Sequence, residues 1–224
     1  MTLLTIGENV ADEVPVERPV ALYGATDDTA RGIFSAINRT IKDIVKAHNW
    51  VNLITEYTFM TVSGQTDYAL PSDFKRMVHD TVWDRTNYEK TRGSLTPQEW
   101  QYYQSSIYGS SVSTWKRYRI RSISGAKYFS IEPTPSAAEQ MVFEYVSTYW
   151  ARSSGGTEQT GFLNDSDTTV LDEDLIELGA IWRVKKKIGL DYMDEKDEFD
   201  KELSRTAAQD VTSPRLRLSL CRRR

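Results

Sequence analysis

One cysteine and two histidines, Cys221, His48 and His79, are all the soft metal ligands that these 224 residues offer. A lone cysteine excludes an intramolecular disulfide and leaves a cysteine-based zinc site without its ligands. Two histidines leave little material for a His-rich metal centre or a His-based catalytic triad. No apolar run approaches the ~20 residues of a membrane-spanning helix, so no membrane association is expected. The opening MTLLTIGENVADEVPVERPV has no basic stretch followed by an apolar one, and is not expected to be a secretory signal. Gly155, Gly156 and Gly161 lack the spacing of a phosphate-binding turn. No internal repeat is visible, and no cofactor is implied.

What is present begins with an uneven charge distribution. Five arginines and no acids lie between Thr212 and Arg224, on a chain with 28 basic and 32 acidic residues. The remaining 23 bases face all 32 acids, so the rest of the chain carries −9. A basic appendage on an acidic body reads as an interaction segment.

The clearest helix to read covers 172–188. Asp172, Glu173 and Asp174 crowd its first turn and Lys185, Lys186 and Lys187 its last, each complementing the macrodipole. Gly189 stands where a left-handed cap is needed. Leu171, Leu175, Leu178 and Trp182 form an apolar stripe, expected to meet Phe34, Ile37 and Ile41. Those belong to a second helix near 26–49, with Thr26 as its cap and Ile33, Ile37, Ile41 and Ile44 at helical spacing. A third helix, near 194–209, carries Phe199 and Leu203 inward. Residues 1–25, with Pro15 and Pro19, read as an extended N-terminal arm.

Between the helical segments the period changes to two. Strands are expected at 50–61, 67–71, 74–83, 115–122, 127–132 and 140–150. The Ser63-Gly64-Gln65 turn would bring 67–71 back beside the first strand. Thr96-Pro97-Gln98-Glu99 is a capping box opening a short helix. Residues 151–170 read as a loop. The fold class is therefore α+β, with a helical bundle from 26–50 and 171–210. An antiparallel β domain at 51–150 is inserted into it, and a basic C-terminal arm occupies 211–224.

No catalytic constellation has specific spacing. Asp165, Asp167, Asp172, Glu173 and Asp174 contain the carboxylates that glycoside hydrolysis would need, but a polar loop and a helix N-terminus are the favoured reading of them. Lys116, Arg117, Arg119 and Arg121 fit either a nucleic-acid-binding face or a solvated strand. His48 reads as a helix-end histidine.

The order of elements carries a resemblance. Trp50, then Tyr57-Thr58-Phe59, Gly64-Gln65 and Tyr68-Ala69-Leu70-Pro71-Ser72-Asp73-Phe74 resemble the head-to-tail adaptor (connector) proteins of short-tailed bacteriophages. So do Ile131-Glu132-Pro133-Thr134-Pro135, Phe143-Glu144-Tyr145, and the segment Leu171 to Arg183 with Gly189-Leu190-Asp191-Tyr192. The resemblance spans about residues 25–210. It implies a structural virion protein of the tail, assembled in the host cytoplasm, and not an enzyme; the alternatives are a virion-associated cell-wall glycosidase using the acids of 165–174 and a basic-tailed nucleic-acid-binding protein. It implies a homo-oligomeric twelve-fold ring beneath the portal protein, a tail nozzle or tail fibre protein below, and DNA passing through without sequence-specific binding. It also implies a C-terminal arm reaching the portal. The alternation Leu216-Arg217-Leu218-Ser219-Leu220 suits an extended docking segment. Leu216, Leu218 and Leu220 would be its anchors and Arg215, Arg217 and Arg222 its charge contacts.

Overall fold

A computed structural model describes residues 1–105 and 115–210. Its contacts divide into two units: Met1–Asn52 with the chain from Tyr149 onward, and Leu53–Thr148. Among the described residues the chain is an α+β protein with antiparallel sheets and five α-helices: α1 (Leu3–Asp12), α2 (Asp28–Ala47), α3 (Pro97–Ser105), α4 (Glu173–Ile188) and α5 (Met193–Asp210).

The first unit is built from α1, α2, α4 and α5. Helix α2 packs along α4, α4 along α5, and α1 against both α2 and α4. Residues 1–25 are therefore not the extended arm expected above. Leu3, Ile6 and Val10, spaced on one helical face, are fully buried, and Thr2 caps α1 by accepting from the Thr5 amide at 3.3 Å. Ten residues with a central glycine give a weak helical signal, and packing supplies what propensity does not.

Helix α2 buries Ile33, Ile37, Ile41 and Ile44 as the period requires. Its cap is Asp27, whose carboxylate accepts from the Ala30 amide at 2.9 Å, and not Thr26. On α4, Asp172 is the N-cap and Gly189 takes the left-handed conformation at φ 80°. The seam of α4 lies to one side of the expected stripe. Leu175, Ile176, Gly179, Ala180 and Val184 are buried, whereas Leu178 and Trp182 are half-buried. Trp182 stacks on Tyr192 at 6.2 Å. Gly179 sits at the seam because a Cβ there would run into Thr40 of α2 and lie 2.8 Å from Phe199 of α5.

The second unit is two facing sheets. Strands β1 (Ile54–Met60), β3 (Phe74–Met77), β4 (Trp83–Asp84), β5 (Glu89–Lys90) and β8 (Gln140–Ser147) form one. Strands β2 (Asp67–Ala69), β6 (Arg117–Ile123) and β7 (Ala126–Glu132) form the other. The expected hairpin from β1 to β2 does not form: β1 pairs with β8 and β2 with β7. Strands β6 and β7 pair along their length and close at Ser124-Gly125, as read. The expected strand 74–83 breaks at Met77 and restarts at Trp83, with Asp80 between them at φ 65°.

The core of this unit is aromatic. Tyr118 stacks on Phe129 at 5.0 Å, and Phe129 on Phe143 at 5.4 Å, which joins the two sheets through three parallel rings. The capping box of α3 is made as read: the Thr96 amide and hydroxyl both donate to Glu99 at 2.8 Å.

Residues 151–170, expected as a loop, contain three short strands, β9 (Ala151–Arg152), β10 (Glu158–Gln159) and β11 (Thr168–Thr169), in the order β10-β9-β11. Two-residue strands carry too little period to be read from sequence.

Candidate interaction surfaces

The expected portal contacts Arg215, Leu216, Arg217, Leu218, Leu220 and Arg222 lie outside the described residues. The acids of the glycosidase alternative are described: backbone amides use Asp165, Asp167 and Asp172, and Glu173 is paired with the N-terminal ammonium of Met1. Asp165 accepts from the Leu22 and Tyr23 amides at 3.0 and 2.8 Å. Buried Asp167 accepts from the Leu163 and Asn164 amides at 2.7 and 2.9 Å. The Leu3 amide donates to the carbonyl of Asp167 and the Leu4 amide to that of Asp165. Asp172 caps α4. These groups hold the N-terminal helix and a loop in place.

The basic strand is likewise engaged within its own unit. Lys116 is ion-paired with Asp84 and Glu139. Arg117 lies over the Tyr103 ring at 4.0 Å and Arg121 over Trp100 at 5.5 Å, so α3 covers part of the strand. Arg121 also approaches Asp67 at 3.7 Å. An open stacking platform for bases requires exposed aromatic faces, and here the cations occupy them. His48 approaches Asp210 at 3.5 Å and packs edge-on to Trp50, as a helix-end histidine does. Among the described residues no three His, Cys, Asp or Glu side chains converge as metal ligands. No described helix is long and apolar enough to cross a membrane.

Asp84 is fully buried, and its surroundings set a pH dependence. Burial pushes its carboxyl up, but the hydrogen bonds from Lys116 and Asn87 outweigh this and hold it below the usual carboxylate range. Burial likewise pulls the Lys116 ammonium down, while Asp84 and Glu139 more than compensate and raise it. A depressed carboxyl contributes stability that is present above its unfolded pKa, about 4, and lost as pH falls through the lower folded value. A raised lysine contributes below about 10.4 and loses its share as pH rises through the higher folded value. The cluster is therefore whole between roughly pH 4 and 10. The Asp84→Asn variant is expected to be less stable than the parent at pH 7, with the gap narrowing toward pH 3. Urea midpoints across that range check this; a gap that stays constant would contradict it.

Among the described residues, two surfaces stand out. The first is the outer face of β1, β8 and β4, a cleft of about 410 Å³ lined by Glu56, Asp80, Trp83, Tyr88, Val142 and Glu144, among others. Glu56 and Glu144 stand directly opposite across the ladder, and Trp83 stands opposite Val142. Trp83 is 44% and Tyr88 87% exposed. Glu56 is paired with Arg85 at 2.8 Å and Asp80 with Lys90 at 3.0 Å. The sequence signal for this cleft was the Glu in each of Glu56-Tyr57 and Phe143-Glu144-Tyr145, charges on the outward phase of aromatic strands.

The second surface is the solvent face of α2, where Arg39, Lys42 and Lys46 are exposed at three- and four-residue spacing. Arg39 approaches Asp43 at 3.7 Å. This stripe was legible as a helical period of cations opposite the isoleucines.

Curated proteins yield no match to the chain. Residues 1–218 match the family described as SU10 adaptor protein. That span takes in nearly all of the chain, the N-terminal helix included, and it agrees with the resemblance carried by the motifs around Trp50, Tyr68 to Phe74 and Leu171 to Tyr192. The chain belongs to the SU10 adaptor protein family, and is a phage head–tail adaptor.

Proposed function

We propose that this adaptor is the repeating subunit of a ring, twelve-fold as the resemblance implies, that joins the portal above to the tail nozzle and fibres below. DNA passes through its channel without being read in sequence. The helical unit and the β unit serve as bundle and inserted domain, and the basic arm at 211–224 reaches the portal. Leu216, Leu218 and Leu220 anchor that arm, and Arg215, Arg217 and Arg222 meet acidic groups of the portal. The family match over residues 1–218 carries this reading. The use of Asp165, Asp167 and Asp172 by backbone amides supports a structural role over a hydrolytic one.

Deleting residues 213–224 is expected to leave the rest of the chain folded and to abolish attachment to portal-bearing heads. Circular dichroism checks the first point and co-sedimentation with heads the second. Parental affinity of the truncated protein for heads would remove the arm from the attachment. The free subunit is expected to be monomeric or weakly associated, since identical acidic bodies repel. A stable closed ring at low salt without portal would contradict that.

A further inference from the structure

Identical subunits that join head to tail need two different, complementary patches on every copy. We propose that the Glu144 face of the β unit receives the Lys42–Lys46 face of α2 from a second copy; the inference rests on the adaptor-ring reading above. Like charges directly opposite on a ladder destabilise it, and Glu144 opposes Glu56. Glu56 and Asp80 each have a cation within the unit, while Glu144 forms no ion pair among the described residues. The face thus presents Glu144, without an ion pair among the described residues, beside Glu56, which is paired with Arg85.

The spacing of the two faces agrees. Side chains directly across a ladder have Cβ atoms about 4.5–5.5 Å apart. Lys42 and Lys46, one helical turn apart, have theirs about 5–6 Å apart. Two ammonium groups on one helix turn therefore fit two carboxylates on adjacent strands. Trp83 and Tyr88 flank the carboxylates and are exposed. They offer flat apolar surface to the methylene stems of the lysines and ring faces to their ammonium groups. A cleft of about 410 Å³ has room for such side chains. Lys42 and Lys46 are exposed and form no ion pair among the described residues. Each pair made this way is weak and screened by salt, so the contact is faint between free subunits and strengthens when a template holds the copies side by side.

The test mixes full-length copies of natural and heavy nitrogen at high concentration and low salt. A carbodiimide then joins carboxylates to amines in contact, and peptides carrying one heavy and one light partner report contacts between copies. The expected product links Glu144 to Lys42 or Lys46. Its yield should fall at least tenfold at high salt. Copies carrying Glu144→Lys alone, or Lys42→Glu with Lys46→Glu alone, should give no such product, and an equal mixture of the two should restore it. Restoration by mixing excludes misfolding as the cause of the loss. Mixed-isotope products that join other surfaces, or none at all, overturn the proposal. So does association that ends on removal of residues 211–224 and not on neutralising the lysines, because the arm would then be the occupant. Attachment to portal-bearing heads that persists while copies join elsewhere leaves the adaptor reading standing without this interface. Failure of the parent chain to attach counts against the adaptor reading itself.

Discussion

The Phe143→Ala variant is expected to lose about 3–5 kcal/mol of stability, the range for a large aromatic removed from a packed core. Phe143 is fully buried. Its ring lies 5.4 Å from Phe129 and from Tyr57, 6.2 Å from Tyr145, 6.3 Å from Phe59 and 6.4 Å from Phe74. Its aromatic partners come from both sheets. Truncation therefore opens a void where the sheets meet and removes several ring–ring contacts, each worth about 0.5–1.5 kcal/mol beyond area burial. The Phe143→Leu variant keeps most of the volume and should cost less than half as much. Urea unfolding of the three proteins measures this. A Phe143→Ala loss below about 1 kcal/mol, outside the range for such truncations, would mean that the stack does not hold the sheets together.

The second large effect concerns the seam of three helices. Replacing glycine by alanine inside a helix ordinarily gains up to about 1 kcal/mol. At Gly179 the sign should reverse. A Cβ there collides with the Thr40 methyl and presses on Phe199. Thr40 cannot turn away: its hydroxyl donates to the Ala36 carbonyl at 2.9 Å and accepts from Arg183 at 3.1 Å. Arg183 is in turn held by the Gly179 carbonyl at 2.6 Å and by Asp43 at 2.7 Å. The Gly179→Ala variant is expected to lose about 1–3 kcal/mol through overpacking, and Gly179→Val more. Thr40→Ser removes the colliding methyl while keeping the hydroxyl, so it should restore most of the loss when combined with Gly179→Ala. Additive losses in the double variant would show that the two positions do not meet.

How much of this was legible in the sequence varies with the range of the interaction. The caps at Gly189 and Thr96 are local chemistry and were read correctly; Asp172, read as a first-turn acid, is the cap of α4, and the α2 cap lies one residue beyond Thr26. The isoleucine face of α2 was also read correctly, because four isoleucines at helical spacing leave only one face to bury. Strand pairing was harder. The Ser63-Gly64-Gln65 turn favours a hairpin, yet β1 chooses β8, far along the chain, because Tyr57 and Phe59 find Phe143 and Phe129 there. The α4 seam was misjudged for a related reason. Trp182 looked like the largest anchor of its helix, but the closest approach is made by the residue with no side chain, and hydrophobicity patterns give glycine no weight. Helix α1 was missed because its stability comes from tertiary contacts and from the carbonyls of Asp165 and Asp167, which lie far away in sequence. Of the candidate surfaces, the cations of α2 were visible as a period. The pairing of Glu56 with Glu144 required knowing which strands are neighbours.

That strand choice also governs how the polypeptide can be edited. Strand β1 leaves the end of the first unit and β8 returns to its resumption, and the two run side by side from the register pair Ile54↔Val146. Paired residues in an antiparallel ladder stand only about 4.5–5.5 Å apart, so nearly a hundred residues close a loop no wider than that of a tight hairpin. The entropic cost of such closure grows slowly with loop length. By closure entropy alone, a change in the length of the stretch between Asn52 and Tyr149 therefore costs little. A tight neck thus bounds a long excursion, and insertions within it leave that neck as narrow as before.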